Sequence, residues 1–349
     1  MSSHTLTRPP APAESSASAA RRVLGGLLRS RELAVLLVLV LLVVVTTAKS
    51  SNFLFGGDGW RDLLVTPSIL LLLAAGQTLV IITRNVDLSV GSTLGLTAYL
   101  TGKLFIEVPD LPVPLVFLAG LAFGALLGLV NGLLVAFGRV PALVITLGTL
   151  MIYRGVFLEW AGSDRINPSD LPAGFLSLGT DQLLTIPVLT IIALVVVAAV
   201  GYYLHTSRGG RELYAIGSDP DAAQLFGLPV TRRVLAAFVV CGALAGLAGV
   251  FYAARYGSIS SNAGRNIELE AVAAAVIGGV AIFGGSGTVW GAAAGAFLLV
   301  TIDRALPVLG IPDFWQRAVV GALIIGAVVL DRVLKKRQER RLIEARDQS

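Results

Sequence analysis

Between residues 33 and 331 the chain runs through one membrane-length apolar stretch after another, separated by short polar or Gly/Pro-bearing connectors. A helix needs roughly 17–25 apolar residues to cross a hydrocarbon layer. Within lipid its backbone groups must find partners inside the segment, so runs this apolar and without a two-residue alternation are helices. The stretches lie near 33–48, 64–82, 88–104, 113–137, 141–160, 185–204, 233–254, 269–283, 289–304 and 314–331. The sequence therefore predicts an all-α, polytopic membrane protein of about ten transmembrane helices.

Charge orients the spans. Arg21, Arg22, Arg29 and Arg31 precede the first stretch, and Arg332, Lys335, Lys336, Arg337, Arg340 and Arg341 follow the last. Loops 105–112 and 305–313 carry no Lys or Arg. By the positive-inside rule both termini are cytoplasmic, as is the longest basic loop, 205–232, while 161–184 and 255–270 face outward. Three regions follow: 1–32, a disordered basic cytoplasmic tail; 33–331, the transmembrane domain with its loop 205–232; and 332–349, a basic cytoplasmic C-terminal tail. Residues 33–48 could also be read as a cleaved signal peptide, but the basic region before them is long for one, which favours an uncleaved span. The formal charge of +5 sits beside spans, so it points to a membrane surface and not to nucleic acid.

The chemistry that is missing narrows the function. One cysteine, Cys241, forms no internal disulfide, and with only His4 and His205 no metal centre is expected. The same scarcity leaves no nucleophile–base constellation, so no catalytic residue is assigned and no cofactor is implied. No phosphate loop occurs: the Gly102-Lys103 pair is followed by Leu104. The chain is thus not expected to hydrolyse ATP. Acidic residues and histidines do not line the spans as a proton relay would need, which counts against an ion-coupled secondary transporter, the rival class.

Small residues recur every fourth position at Gly124, Gly128 and Gly132, at Gly242 and Gly246, and at Gly291 and Gly295. That spacing aligns notches on one helix face, and bundle packing explains it without any role in a pathway. GLVNGLLVAFGRVPALVITLG, from Gly128, is echoed by GAAAGAFLLVTIDRALPVLGIPDF, from Gly291. The span count runs the two in opposite directions, as in an inverted repeat.

Two polar stretches stand out. TRNVDLSVGS places Arg84, Asn85 and Asp87 between two spans, where Asp87 and Ser89 suit the N-cap of the next helix. In the basic loop, SDPDAAQLFG has the order of a short helix of about eight residues. Ser218 or Asp219 caps it, Pro220 and Asp221 suit its first turn, and Gly227 suits a left-handed end. A helix that short is marginal alone and wants a partner surface, which its own bundle or headgroups could also supply.

Five segments carry a family resemblance: GQTLVIITRNVDLSVGS (76–92), NGLLVAFGRVPALVITLGTLMIYRG (131–155), GRELYAIGSDPDAAQLFGL (210–228), ALAGLAG (243–249) and ELEAVAAAVIGGVAIFGGSGTVWGAAAGA (268–296). In them the chain resembles the permeases of bacterial sugar ATP-binding-cassette importers of the ribose/xylose/arabinose type. Arg84-Asn85, Tyr153-Arg154-Gly155, Ile302-Asp303 and Ile311-Pro312 look most like the rhamnose and autoinducer-2 subgroup, and Asn85-Val86 departs from the ribose pattern. The resemblance implies a multi-pass protein of the bacterial inner membrane that moves a neutral monosaccharide inward. It ranks rhamnose or a related sugar first, with autoinducer-2 or another pentose or hexose as the alternative. It also implies separate ATPase subunits, an extracytoplasmic sugar-binding protein and a second permease copy, identical or paralogous.

On this resemblance, residues 218–227 form the coupling helix that seats in the ATPase. Ser218, Asp219, Pro220, Asp221, Ala222, Ala223, Phe226 and Gly227 are its candidates, with Ala222 and Ala223 at the closest contact. The translocation-pathway candidates are Asn85, Asp87, Ser89, Asn131, Thr146 and Thr149. For Asp87 a structural role at the hinge competes with direct contact to sugar.

Overall fold

The structure, a computed structural model, describes residues 31–312 apart from Arg139, and beyond them residues 314, 315, 318, 319, 321, 322, 325, 326 and 329. The described residues are all-α but for a hairpin of two short strands, Gln182–Leu183 paired antiparallel with Ile186–Pro187, and one isolated bridge between Ile166 and Ile259. Among the described residues, seven helices are long and apolar enough to cross a membrane. They are α1 (Arg31–Lys49), a span ending in α2 (Pro67–Ile82), α4 (Val113–Gly138), α5 (Ala142–Ala161), α6 (Val188–Thr206), α9 (Val230–Tyr256) and α11 (Val289–Val308).

Two expected spans differ in kind. The helix α3 (Val90–Glu107) has 18 residues, yet Ser92, Thr93, Thr97 and Thr101 make it too polar for a lipid-facing span, and it lies buried among its neighbours. The expected span 269–283 is corrected: α10 (Ile267–Ile277) has only 11 residues, about 16 Å of rise, and stops halfway through a membrane. The expected span 314–331 falls on residues of which only some are described. Of the expected tails, 1–32 and 332–349, residues 1–30 and all of the second lie outside the described residues.

Helix α9 is the hub, packed against α2, α3 and α4. Small residues make this closeness achievable: Gly120, Gly124 and Gly128 of α4 face Val250, Gly246, Gly242 and Phe238 of α9, backbone against backbone. A methyl group at Gly124 would stand 2.2 Å from the Gly242 carbonyl oxygen, whereas one at Gly155 would meet nothing within 4 Å. Gly124→Leu is therefore expected to lower stability by about 1–3 kcal/mol through overpacking, and Gly155→Leu is not. Thermal unfolding of the two variants in detergent checks this, and equal midpoints would refute it. At the other side of the core, Gly291 and Gly295 of α11 meet Gly278 and Ala274 at the end of α10, and α1 packs on the outside of α11.

Candidate functional site

The polar stretch after α2 turns back into the bundle. Arg84 takes a left-handed conformation, φ 64°, and reverses the chain. Gln77 then holds the backbone of Asp87 from both sides: its Nε2 donates to the Asp87 carbonyl and its Oε1 accepts from the Asp87 N–H at 3.4 Å. Asp87 therefore sits level with Gln77, roughly 7 Å of helix rise inward from Ile82.

The Asp87 carboxylate accepts from Ser89 N–H at 2.9 Å and from Ser89 Oγ at 2.7 Å. Asn131 of α4 donates from Nδ2 to Ser89 Oγ at 2.7 Å and reaches the two carboxylate oxygens at 3.4 and 3.5 Å. Asn131 is fully buried, and its Oδ1 makes no hydrogen bond to the described residues. This corrects the expected capping. Ser89 holds the N-cap position of α3 without a side-chain cap bond, while Asp87 bonds the residue two further on and fixes the approach to the helix.

Of the remaining pathway candidates, Thr146 joins this break by donating to the Val86 carbonyl at 3.1 Å. Thr149 bonds within its own helix, to the Thr146 carbonyl. Asn85 donates to Thr83, and among the described residues it has no hydrogen bond to the Asp87 cluster.

A second break enters from the opposite end. After α9 the left-handed Gly257 turns the chain, and Ile259 pairs with Ile166, joining the loops 161–184 and 255–270. The next residues do not stay in that outer layer, as expected of a plain loop. They descend along α3, with Ile259 beside Gly102, Ala263 beside Gly95, and Gly264 and Glu268 beside Gly91. Asn266, φ 69°, then opens α10 near the level of Gly91. Arg154 of α5 holds the descending segment by donating to the carbonyls of Ala263 at 2.8 Å, Gly264 at 3.1 Å and Ser261 at 3.4 Å. Its guanidinium lies 5.7 Å from the Phe157 ring centroid. Glycine is required at Gly91, where an added carbon would lie 2.1 Å from Glu268 Oε2 and 2.6 Å from the Gly264 carbonyl oxygen.

The two breaks thus meet, bringing together the N-termini of α3 and α10, the positive ends of both helix dipoles. Asp87 stands at one and Glu268 at the other. The order long helix, break, interior helix, Gly-seamed helix occurs twice, as α2–α3–α4 and as α9–α10–α11, entered from opposite ends. This is the arrangement an inverted repeat produces, and broken helices meeting at mid-depth mark binding sites in transporters.

The first break is tied to the basic loop. Arg84 Nε donates to the Gly217 carbonyl at 2.5 Å, and its Nη2 bonds the Ser218 carbonyl. These carbonyls end α7 (Arg208–Ser218), whose Ser207 caps Gly210 N–H at 2.8 Å. Glu212 anchors α7 to α9, accepting from Arg233 at 2.6 Å and Arg208 at 2.8 Å, and these partners, Arg233 first, hold its carboxyl below the usual range. Gly285 N–H donates to the Ile82 carbonyl at 2.9 Å, and Tyr214 OH to the Gly287 carbonyl at 2.8 Å. One knot therefore joins α2, α7 and the loop before α11.

The expected short helix follows as α8 (Pro220–Leu225), six residues long. Asp219, and not Ser218, is its cap, accepting from Asp221 N–H at 3.1 Å and Ala222 N–H at 3.0 Å, and Gly227 takes the left-handed φ of 76°. Its outward face is corrected. Ala223 is buried in the protein's own packing and Ala222 half so, whereas Leu225 and Phe226 stand 89% and 86% exposed.

Sequence reading missed Gln77 and Arg154 as parts of the site. Both stood in plain view as polar residues well inside apolar runs, Arg154 about 10 Å of rise from the nearer end of its helix. Such residues in a span signal a polar task. Pairing them with carbonyls of distant segments required the fold.

The family described as "Branched-chain amino acid transport system / permease component" matches residues 60–328. Among known proteins, the chain is 41% identical over 268 residues to the autoinducer 2 import system permease protein LsrC of Enterobacter sp. (strain 638), covering 77% of each chain. It is 40% identical over 274 residues to LsrC of Salmonella typhi, covering 78% of each. Against LsrC of Escherichia coli (strain K12 / DH10B) it is 39% identical over 274 residues, 78% of this chain and 79% of the relative. No solved structure matches the chain.

Proposed function

Because the chain belongs to this family of permease components, we propose that it is the membrane-spanning subunit of an ATP-binding-cassette importer for a small, uncharged, polyhydroxylated ligand. One observation carries the mechanism: two broken helices converge on the buried Asp87–Ser89–Asn131 cluster, and the first break is roped through Arg84 to the end of α7 and so to α8. ATPase subunits bind at α8, and their closure displaces α7. Arg84 passes that movement to 83–89 and changes the angle at which α3 meets α10. The conformational work comes from the ATPase, and this chain contributes the route and the lever.

The ligand is autoinducer 2 first and rhamnose or a related sugar second. The relatives' names favour autoinducer 2, while the Arg84-Asn85 and Ile311-Pro312 sequences fit either. A branched-chain amino acid, named in the family's description, ranks behind both, since the relatives at about 40% identity import autoinducer 2. The partners are two ATPase subunits, an extracytoplasmic binding protein and a second permease copy, in a bacterial inner membrane with both termini cytoplasmic.

The test is uptake by the chain reconstituted with the ATPase and binding protein of its own system. Expected is ATP-dependent accumulation of autoinducer 2, outcompeted less well by rhamnose and not at all by leucine. The purified chain alone should turn over no ATP. Uptake driven by an ion gradient without the ATPase would overturn the proposal in favour of a secondary transporter.

A further inference from the structure

The edge of the descending segment 258–266 poses a problem of solvent. Asn262, Arg265 and Asn266 are exposed on the surface of the chain. Their neighbours fix their depth: Ala263 lies against Gly95, and Gly264 against Gly91 and Gly95. Gly95 is twelve residues from the outer end of α3, about 18 Å of rise, and Gly91 is close to the level of the Asp87 cluster. Arg154, which binds Ala263 and Gly264, lies between the two ends of α5. The exposed edge is therefore at mid-depth of a membrane-spanning bundle.

Hydrocarbon is a poor neighbour for such groups. A guanidinium at bilayer centre costs several kcal/mol and snorkels only from helix ends. Arg265 has no such exit, since its segment is pinned to α3 by Gly91 and Gly264 and to α5 by the three Arg154 hydrogen bonds. Non-helical backbone at this depth is tolerated where it is buried in protein or lines a water-filled cavity. The buried side of the segment meets the first condition and its exposed edge requires the second. On α1, by contrast, Leu37, Val40, Leu41 and Val44 present an exposed apolar face suited to lipid.

We propose that Asn262, Arg265 and Asn266 form the wetted wall of the ligand's route through this subunit and contact the ligand there. The chemistry suits a hydroxylated solute. Two amides supply both donors and acceptors, and the guanidinium supplies donors in a fixed fork. Arg265 is itself oriented by Asn262, its N–H meeting the Asn262 carbonyl at 3.2 Å and its Nη1 the Asn262 Oδ1 at 3.4 Å. The inference rests on the permease reading, and it moves ligand contact away from the buried Asp87 cluster, which becomes the hinge behind the wall.

The test separates the two. In a Cys241→Ser background, Asn262→Cys and, as a lipid-facing control, Leu41→Cys are treated with a charged, membrane-impermeant methanethiosulfonate. Thiolate forms only where water reaches. Asn262→Cys is expected to react at least a hundredfold faster than Leu41→Cys, and its modification to stop uptake of autoinducer 2 by the assembled importer. Arg265→Met should raise the KM for uptake at least tenfold at unchanged membrane abundance, with Arg265→Lys intermediate. Rates for Asn262→Cys as low as for Leu41→Cys, in an importer whose Cys241→Ser parent transports normally, would overturn the wall and leave the permease reading standing. So would spontaneous disulfide formation between copies with no labelling, since the edge would then be a dry subunit seam. A wild-type importer that accumulates nothing would instead remove the permease reading and the wall with it; if only the Cys241→Ser parent fails, the labelling is done in the wild-type background, where Cys241 is buried from the reagent.

Discussion

Replacing Leu225 and Phe226 together by Glu is expected to abolish uptake while the protein reaches the membrane in ordinary amounts. Both side chains stand almost wholly in solvent at the end of α8, so no packing within the chain is lost. A six-residue helix holding two large apolar groups outward has reason to do so only if a socket receives them. Burying a Leu or Phe contributes about 1.5–3 kcal/mol each, so losing both weakens docking by a hundredfold or more. Two carboxylates facing an apolar socket add a desolvation cost to that loss. Co-purification of the ATPase with the permease measures it, alongside the ATPase rate. Undiminished association and uptake would mean that α8 is a connector. Ala223→Trp gives a different result, loss of folded permease, because Ala223 is packed inside its own protein.

Asp87→Ala is expected to cost more than a surface helix cap would. The carboxylate satisfies the Ser89 N–H, the Ser89 hydroxyl and the Asn131 amide, all buried. Removing it strands several donors, and each buried group left unpaired costs about 1–3 kcal/mol. Uncoupled from Ser89, the N-terminus of α3 loses its fixed approach beside Gly264 and Glu268. The expected result is a large drop in the detergent unfolding midpoint, with uptake falling in parallel. Asp87→Asn keeps an oxygen for Ser89 and should recover most of the stability. A wild-type midpoint for Asp87→Ala with uptake abolished would instead make Asp87 a direct contact of the ligand.

Much of this was legible in the residues. Apolar length gave the all-α membrane class, because a backbone in lipid has few ways to satisfy its polar groups. Local chemistry gave the first-turn proline and the left-handed glycine of α8 and narrowed its cap to Ser218 or Asp219, since each is a property of a few adjacent residues. The four-residue glycine spacing gave the seams, because side-chain period and helix pitch are fixed. The length rule also misled. It counted 269–283 as a crossing because it sums hydropathy and does not see that Asn266 and Gly264 break the chain at mid-depth. The same blindness placed 255–270 wholly in an outer loop, and it could not tell which side of α8 its own bundle would cover.

What the sequence by itself determined is the kind of element and its solvent: helices, their caps, their small-residue faces, and a membrane around them. These follow from interactions within a few residues, or from the summed hydropathy of a single stretch. Only the tertiary structure decided that Arg154 would grip carbonyls about a hundred positions away, that Arg84 would end α7, and that two helix starts would meet at Gly91. Arginine, aspartate and glycine each fit many local settings. Their partners are chosen by which segments the close packing of α9 against α2, α3 and α4 brings together.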